Sequence, residues 1–410
     1  MLSAINRENI MQGLFLGAGA SYELGMPLVV ELTETVKVDH TPDLVRKTAK
    51  NYRWSEESTD FFLRLLADKD LHYEAVIGAI EVMAQRQGSS TESYENIRTH
   101  LVDMVSRYLI AEHSARKELS ILGLSYLEGL RKYFRNNEPL RIFSLNHDVM
   151  IEEICSFMAE PLKAGFYTNS EYCKTAFNGA SLEFDFEVLT SEQMSKGDLD
   201  FFAPGERGVN LYKLHGGLDT FLFNSCKDYI RFNSPGRLPG DHIQRIIDVH
   251  NASYKVEKED GIRTIQVLTL KDSDQEAQFF DRSLITGAFK FQNGRSPHDQ
   301  GLTVMFDKFK SDIYHVKNLT CIGYGFGDLH INEIMVRWLC SSTEHTLTIV
   351  DPFIERAPSF LLHLTPQIEI IKKSLFEHVA ASNIKDDKKF KLYMHRQMRE
   401  YQRLKRLNKI

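Results

Sequence analysis

Short apolar runs that end in glycine or a small polar residue recur along this chain, each followed by apolar positions at helical spacing. GLFLG at 13–17 leads into helix-compatible residues from Ser21 to Val36, so the opening is predicted as strand, tight turn and helix, half of a βαβ unit. PLRIFSLN at 139–146 repeats the pattern ahead of Val149, Ile151, Ile154 and Phe157. VNLYKLHGG at 209–217 is predicted as a further strand ending in glycines. LTCIGYGFGD at 319–328 precedes a helix through Ile331 to Leu339, and the strand HTLTIVDP follows at 345–352. Strand alternating with helix predicts an α/β protein with a parallel, Rossmann-like sheet.

Two stretches interrupt that alternation. Over 42–133 no run looks like a strand, while Phe61, Phe62, Leu65, Leu66, Ile77, Ile80 and Met83 recur at helical spacing, which predicts a helical insertion. Over 224–297 charge, glycine and short β-like runs such as 264–270 mix, and an irregular insertion is expected. The predicted organisation is one α/β domain over 1–380 carrying both insertions, then a basic C-terminal helix over 381–410. Phe390, Met394, Gln397, Tyr401 and Leu404 share one face of that helix, which suits docking to another subunit or a partner. Packing on its own domain and attraction to nucleic-acid phosphates are the other readings of the same pattern.

Charge sharpens the picture of the tail. The 410 residues carry a formal charge of −6, but 385–410 holds ten Lys/Arg against three Asp/Glu, so this tail is +7 and the remainder −13. The start, MLSAINRENIMQ, has no basic segment leading into an apolar run, and no window approaches the roughly 20 apolar residues of a membrane span. A cytoplasmic location is therefore expected, with no membrane association. Cys155, Cys173, Cys226, Cys321 and Cys340 are scattered and never spaced as CxxC, which predicts neither a disulfide framework nor a zinc site, and no metal is expected.

Candidate chemistry gathers where predicted strands end, the edge at which open α/β sheets place their ligands. Gly17, Ala18, Gly19 and Ser21 lie in a GAGAS turn between strand and helix, where glycine permits close backbone approach to a pyrophosphate; no Lys-Ser/Thr follows, so a P-loop is excluded. Asn146 and Asp148 flank His147 at the next strand end, suited to holding a carboxamide, a ribose hydroxyl or a water, although Asp148 before a helix also suits a cap. His215 in KLHGG has the residue type of a general base. Gly323, Tyr324, Gly325 and Asp328 form a glycine-rich turn after a late strand, and Asp351 ends the following one, where a carboxylate accepts ribose hydroxyls or simply closes an Asp-Pro turn.

Taken in order, GAGAS with Gly25-Met26-Pro27, then SLNHD, then KLHG, then the late glycine turn resemble the sirtuin superfamily, and within it the sirtuin-like NAD hydrolases of bacterial anti-phage defence. The resemblance covers the α/β parts only. It implies a sheet of the sirtuin type and NAD as substrate, with Gly17, Ala18, Gly19, Ser21, Pro27, Gly323, Tyr324, Gly325, Asp328 and Asp351 as contacts to NAD. It also implies that Asn146 fixes the carboxamide or the attacking water, that His215 accepts a proton from a ribose hydroxyl or that water, and that Asp148 orients them. NAD glycohydrolase activity, a homo-oligomer and a HerA-type ATPase partner are the expectations that follow. An NAD or ADP-ribose sensor without turnover and an NAD-dependent deacylase are the alternatives. Leu28-Val29-Val30 stands where deacylating sirtuins carry Asp-Phe-Arg, and their four-cysteine zinc module has no counterpart in the cysteine spacing.

Overall fold

The computed structural model describes residues 11–86, 88, 90–168, 176–177, 180–181, 185–233, 238–257, 263–266, 270–271, 274, 276–278, 281–284, 300–380 and 385–406. Its centre is a seven-stranded sheet in which every neighbouring pair is parallel. The spatial order is Ile368–Ile371, Thr346–Val350, Asn318–Ile322, Gln12–Leu16, Leu140–Ser144, Val209–Lys213 and Leu162–Lys163. This is the Rossmann-like α/β arrangement. The first strand in sequence is central, with the second on one side and Asn318–Ile322 on the other, so the order reverses between Gln12–Leu16 and Asn318–Ile322. The crevice outside the carboxyl ends at such a reversal is where this architecture places ligands.

Alternation along the strands builds two cores, one on each face of the sheet. Leu14, Leu16, Leu140, Ile142, Val209 and Leu211 face one cluster, which extends into the helices of 42–133. Phe15, Phe143, Tyr212, Leu319, Cys321 and Leu347 face the other, packed by the helices Gln300–Asp312 and Leu329–Ser341. Trp338 is fully buried there and donates its indole N–H to the Val316 carbonyl at 2.9 Å.

Between 42 and 133 lie the helices Pro42–Asn51, Glu56–Ala67, Tyr73–Ala84 and Thr91–Leu124 and the 3₁₀ segment Leu127–Tyr133. Their starts follow from local chemistry: Thr41 accepts from the Leu44 amide with Pro42 at the first helical position, and Ser55 accepts from the Ser58 amide. The opening helix predicted from Ser21 to Val36 is instead two, Ala18–Tyr22 and Val29–Asp39, because Gly25 takes φ +105° and Pro27 follows.

The strand predicted over 209–217 also divides. Val209–Lys213 belongs to the parallel sheet, and Gly216–Phe223 begins an antiparallel one ordered Asp281–Leu284, Gly216–Phe223, Asp228–Asn233, Asp185–Leu189 and Tyr167–Thr168. Gly216 makes the break at φ +76°, where an added Cβ would sit 2.1 Å from the Ser283 carbonyl oxygen of the neighbouring strand. Within 224–297, Asp228–Asn233 and Asp281–Leu284 thus complete a sheet with residues from outside that stretch, and Asp241–Ser253 is helical.

The C-terminal helix, Asp386–Arg406, rests on the chain's own fold. Leu392, Arg396 and Arg399 make the contact, whereas Phe390, Met394 and Tyr401 are exposed. The face turned to the fold thus combines the apolar Leu392 with the buried guanidinium of Arg399, and the apolar stripe lies on the other side of the helix. No helix among the described residues is long and apolar enough to cross a membrane.

Several histidines are buried without charge. His40 accepts at Nε2 from His100, since its Nδ1 donates to the Val36 carbonyl at 2.7 Å, and burial lowers both. His113, on the long helix, is fully buried; burial holds it at about 4, with Asp148 raising it and Lys213 lowering it. The unfolded chain takes up this proton near the ordinary 6.5 and the folded one near 4, so its contribution to stability is complete above about pH 6.5 and withdrawn as pH falls toward 4. Urea denaturation at pH 7.5 and 5.5 is therefore expected to show a stability loss roughly 1 kcal/mol smaller in His113→Leu than in the unsubstituted chain. Equal pH sensitivity of the two would contradict a neutral buried imidazole.

Candidate functional site

The turns after Gln12–Leu16 and Asn318–Ile322 touch backbone to backbone. The Gly17 amide donates to the Ile322 carbonyl at 3.0 Å and the Gly19 amide to the Gly323 carbonyl at 2.9 Å, while the Gly323 amide donates to Val350 at 3.1 Å. A Cβ on Gly17 would lie 2.6 Å from the Gly323 oxygen, and one on Gly323, at φ +61°, 2.4 Å from the Ala20 nitrogen. These glycines therefore serve the packing of one turn on the other. Ala18 opens the helix Ala18–Tyr22, which spans only five residues. Gly325, by contrast, has nothing within 4 Å of an added Cβ and faces open space.

Asn146 reaches this contact from the third strand end. Its amide nitrogen donates to the Gly17 carbonyl at 3.0 Å and to Ser21 Oγ at 2.9 Å, and both residues are buried. The carbonyl of Gly17 can only accept, which fixes the amide orientation. With both amide protons spent inside the protein, what Asn146 offers a ligand is the acceptor Oδ1. Asp148 Oδ1 accepts from the Met150 amide at 3.0 Å, the turn-capping use that its position before a helix allows.

His215 sits in the two-residue link between the sheets, buried at 4% exposure, with Nε2 3.2 Å from Oδ2 of Asp328. Its ring centroid is 6.3 Å from that of His147. Asp328 precedes the helix Leu329–Ser341, and its side chain caps none of that helix's amides. A residue expected to contact NAD is thus the carboxylate beside the candidate base.

The remaining predicted residues have mainly local roles. Tyr324 is buried; its hydroxyl is 3.1 Å from both the Asp328 carbonyl and Asn332 Oδ1 and accepts from the Asp328 amide at 3.2 Å, which closes the loop. Burial and the nearby Asp328 raise the phenol well above its ordinary range. Asp351 Oδ1 accepts from the Phe353 and Ile354 amides at 2.8 and 3.2 Å, so the Asp-Pro turn is formed. Pro27 lines a groove with Glu31, Tyr108, Arg116, Arg399 and Gln402.

A charged layer, in which the lysine of KLHG takes part, supports the loop. Lys213 Nζ donates to the carbonyl oxygens of Asn146 and Asp148 and lies 3.5 Å from Glu152. Arg231 joins Glu152 at 3.2 Å, Glu187 at 3.1 Å and Asp219 at 2.7 Å. Burial raises Glu152, opposed by Lys213; burial would also raise Asp219, but Arg231 and Lys213 more than offset it and hold that carboxyl below its ordinary value. The one signal in the sequence is a lysine inside the apolar run VNLYKL.

No protein-family model matches the sequence, and no curated protein does. Among solved structures, the chain is similar to a Sir2 homologue in complex with NAD, at 9% identity over 94% of this chain and 90% of that one, with a TM-score of 0.34. A structure concerned with the mechanism and regulation of Sir2 enzymes is similar at 9% identity over 90% of this chain and 88% of that one, with a TM-score of 0.31. Likeness at this level carries no argument about chemistry, and the fold stands on its own strand order and direction.

Gly323→Ala tests the turn contact. It combines a left-handed backbone with overlap against backbone atoms that cannot swing away, so a loss of at least about 2 kcal/mol is expected in urea denaturation. A loss within 0.5 kcal/mol, the usual range for an unremarkable surface change, would show that the two turns separate freely.

Proposed function

We propose that this chain binds NAD at the reversal point of its parallel sheet and hydrolyses the bond between nicotinamide and ribose. The observation that carries the reading is the convergence there of the 17–21 turn, Asn146, and a buried histidine paired with a carboxylate. The order of motifs GAGAS, SLNHD, KLHG and the late glycine turn, which resembles that of sirtuin-like NAD hydrolases, favours NAD among dinucleotides.

In the proposed reaction the glycosidic C–N bond breaks with its electron pair leaving on nicotinamide, and the ribosyl centre gains oxocarbenium character. Water adds to the anomeric carbon and gives its proton to His215, so NAD and water yield nicotinamide, ADP-ribose and a proton. Asp328 Oδ2, 3.2 Å from Nε2, stabilises the imidazolium that forms when His215 takes this proton. Asn146 Oδ1 accepts a hydrogen bond from the water or from the carboxamide. The 17–21 turn lies against the pyrophosphate, and the open side of Gly325 leaves room for the ribose. Lys213 holds the carbonyls of Asn146 and Asp148 and so keeps the loop in shape. NAD depletion in anti-phage defence, as a homo-oligomer with a HerA-type ATPase, is the setting this reading implies.

Nicotinamide release from NAD by the purified chain is the direct test, and its absence with and without a candidate partner would reject hydrolysis in favour of binding alone. His215→Ala is expected to lower turnover by roughly 10²–10⁴ with an unchanged circular dichroism spectrum. A loss under tenfold would remove His215 from the proton transfer. Asn146→Ala gives up two hydrogen bonds that shape the turn, so calorimetry is expected to show a Kd for NAD about tenfold weaker alongside reduced turnover. An unchanged Kd would mean that the turn keeps its shape without this amide.

A further inference from the structure

The 17–21 turn is held on one side by Gly323 and Asn146. Its far side, 22–26, carries carbonyl groups with a different partner. Leu24 and Met26 donate their amides to the Ser21 carbonyl, and Gly25 to that of Tyr22, which curls the chain into a compact bend. Arg399, on the C-terminal helix, closes this bend: its guanidinium donates to the Tyr22 carbonyl and, at 2.5 Å, to the Met26 carbonyl. It also lies 3.3 Å from Glu31 and 4.0 Å from the Tyr22 ring centre.

Arg399 is 8% exposed, unusual for a residue on a basic terminal helix. Neighbouring contacts hold it in place: Arg396 pairs with Glu23, Arg116 donates to Gln402 at 2.7 Å, and Leu392 is buried in the core. The planar fork presents one nitrogen, Nη1, to the Tyr22 carbonyl and the other, Nη2, to that of Met26, whereas a lysine would have a single nitrogen to share between them. Removing it would take the guanidinium donor from the buried Met26 carbonyl and leave the Tyr22 carbonyl with the Gly25 amide.

We infer that Arg399 is a positioning residue that braces the 17–26 bend from the C-terminal helix and thereby keeps the turn in the shape that receives the dinucleotide; the last clause rests on the proposed function. The same helix turns Phe390, Tyr393, Met394, Met398 and Tyr401 to solvent, so its inward face is joined to the bend by polar bonds rather than by an apolar stripe.

Hydrogen exchange of the full-length protein without ligand tests the brace independently of any nucleotide. In Arg399→Ala the amides of Leu24, Gly25 and Met26 should exchange at least about tenfold faster, while those of Leu140–Ser144 and Asn318–Ile322 keep their protection. Arg399→Lys, which retains the charge but not the fork, should fall between, and it carries the test if the alanine variant does not fold. Unchanged exchange in the bend, or a uniform rise across bend and sheet alike, would overturn the brace. Calorimetry with NAD then tests the link to binding: a Kd weakened about tenfold in the variant whose bend exchanges faster supports it, and an unchanged Kd overturns it. If the unsubstituted chain binds no NAD, the nucleotide reading and the final clause of the inference fall, and hydrogen exchange still decides whether Arg399 braces the bend.

Discussion

Backbone packed on backbone, where Gly17 and Gly19 meet Gly323, is the contact on which the surrounding structure depends. Adjacent parallel strands end beside one another, and their chains must then turn away within a very small space. Side chains at these positions would separate the turns by more than an amide-to-carbonyl bond can span. Once they are in contact, the carbonyl of Gly17 is directed at Asn146, and Gly323 bonds back to the end of the next strand. Four strand ends are thereby registered against one another.

A second layer, built from charge, holds the end of Val209–Lys213. Lys213 and Arg231 are almost wholly enclosed with Glu152, Asp219 and Glu187, an arrangement that costs desolvation and that apolar residues of equal volume would often match in stability. Its geometry does what apolar packing cannot. Lys213 donates to two loop carbonyls, and Arg231, on the antiparallel sheet, ties that sheet to Glu152 on the helix Met150–Met158. The link carrying His215 lies between these fixed points, and its imidazole is held beside Asp328.

The turn-capping bonds of Asp148 and Asp351 and the buried hydroxyl of Tyr324 assign those side chains to holding loops in shape. Among the residues singled out by motif, Asn146 bonds the Gly17 turn through its amide nitrogen, and His215 and Asp328 lie side by side. Motif position marks the turns at the strand ends, and it does not separate the side chains that hold those turns from the ones that do not. The distinction depends on where each side chain finds its nearest donor or acceptor.

What the sequence by itself determined is the local layer. Apolar runs such as LFL and RIF, closed by glycine or asparagine, dictate strands that end in turns, and helical spacing over 42–133 matches the helices found there. Those features depend on neighbours within a few residues, and so a period and a punctuating glycine suffice to show them. The tertiary structure decided which ends meet. It split 209–217 between two sheets at Gly216, paired His215 with Asp328, brought Lys213 under the Asn146 loop, and turned Arg399 rather than the apolar stripe of the last helix toward the fold. These pairings join residues far apart in the chain through the order of strands in the sheet, and strand order is set by the burial of whole faces, which no local pattern encodes.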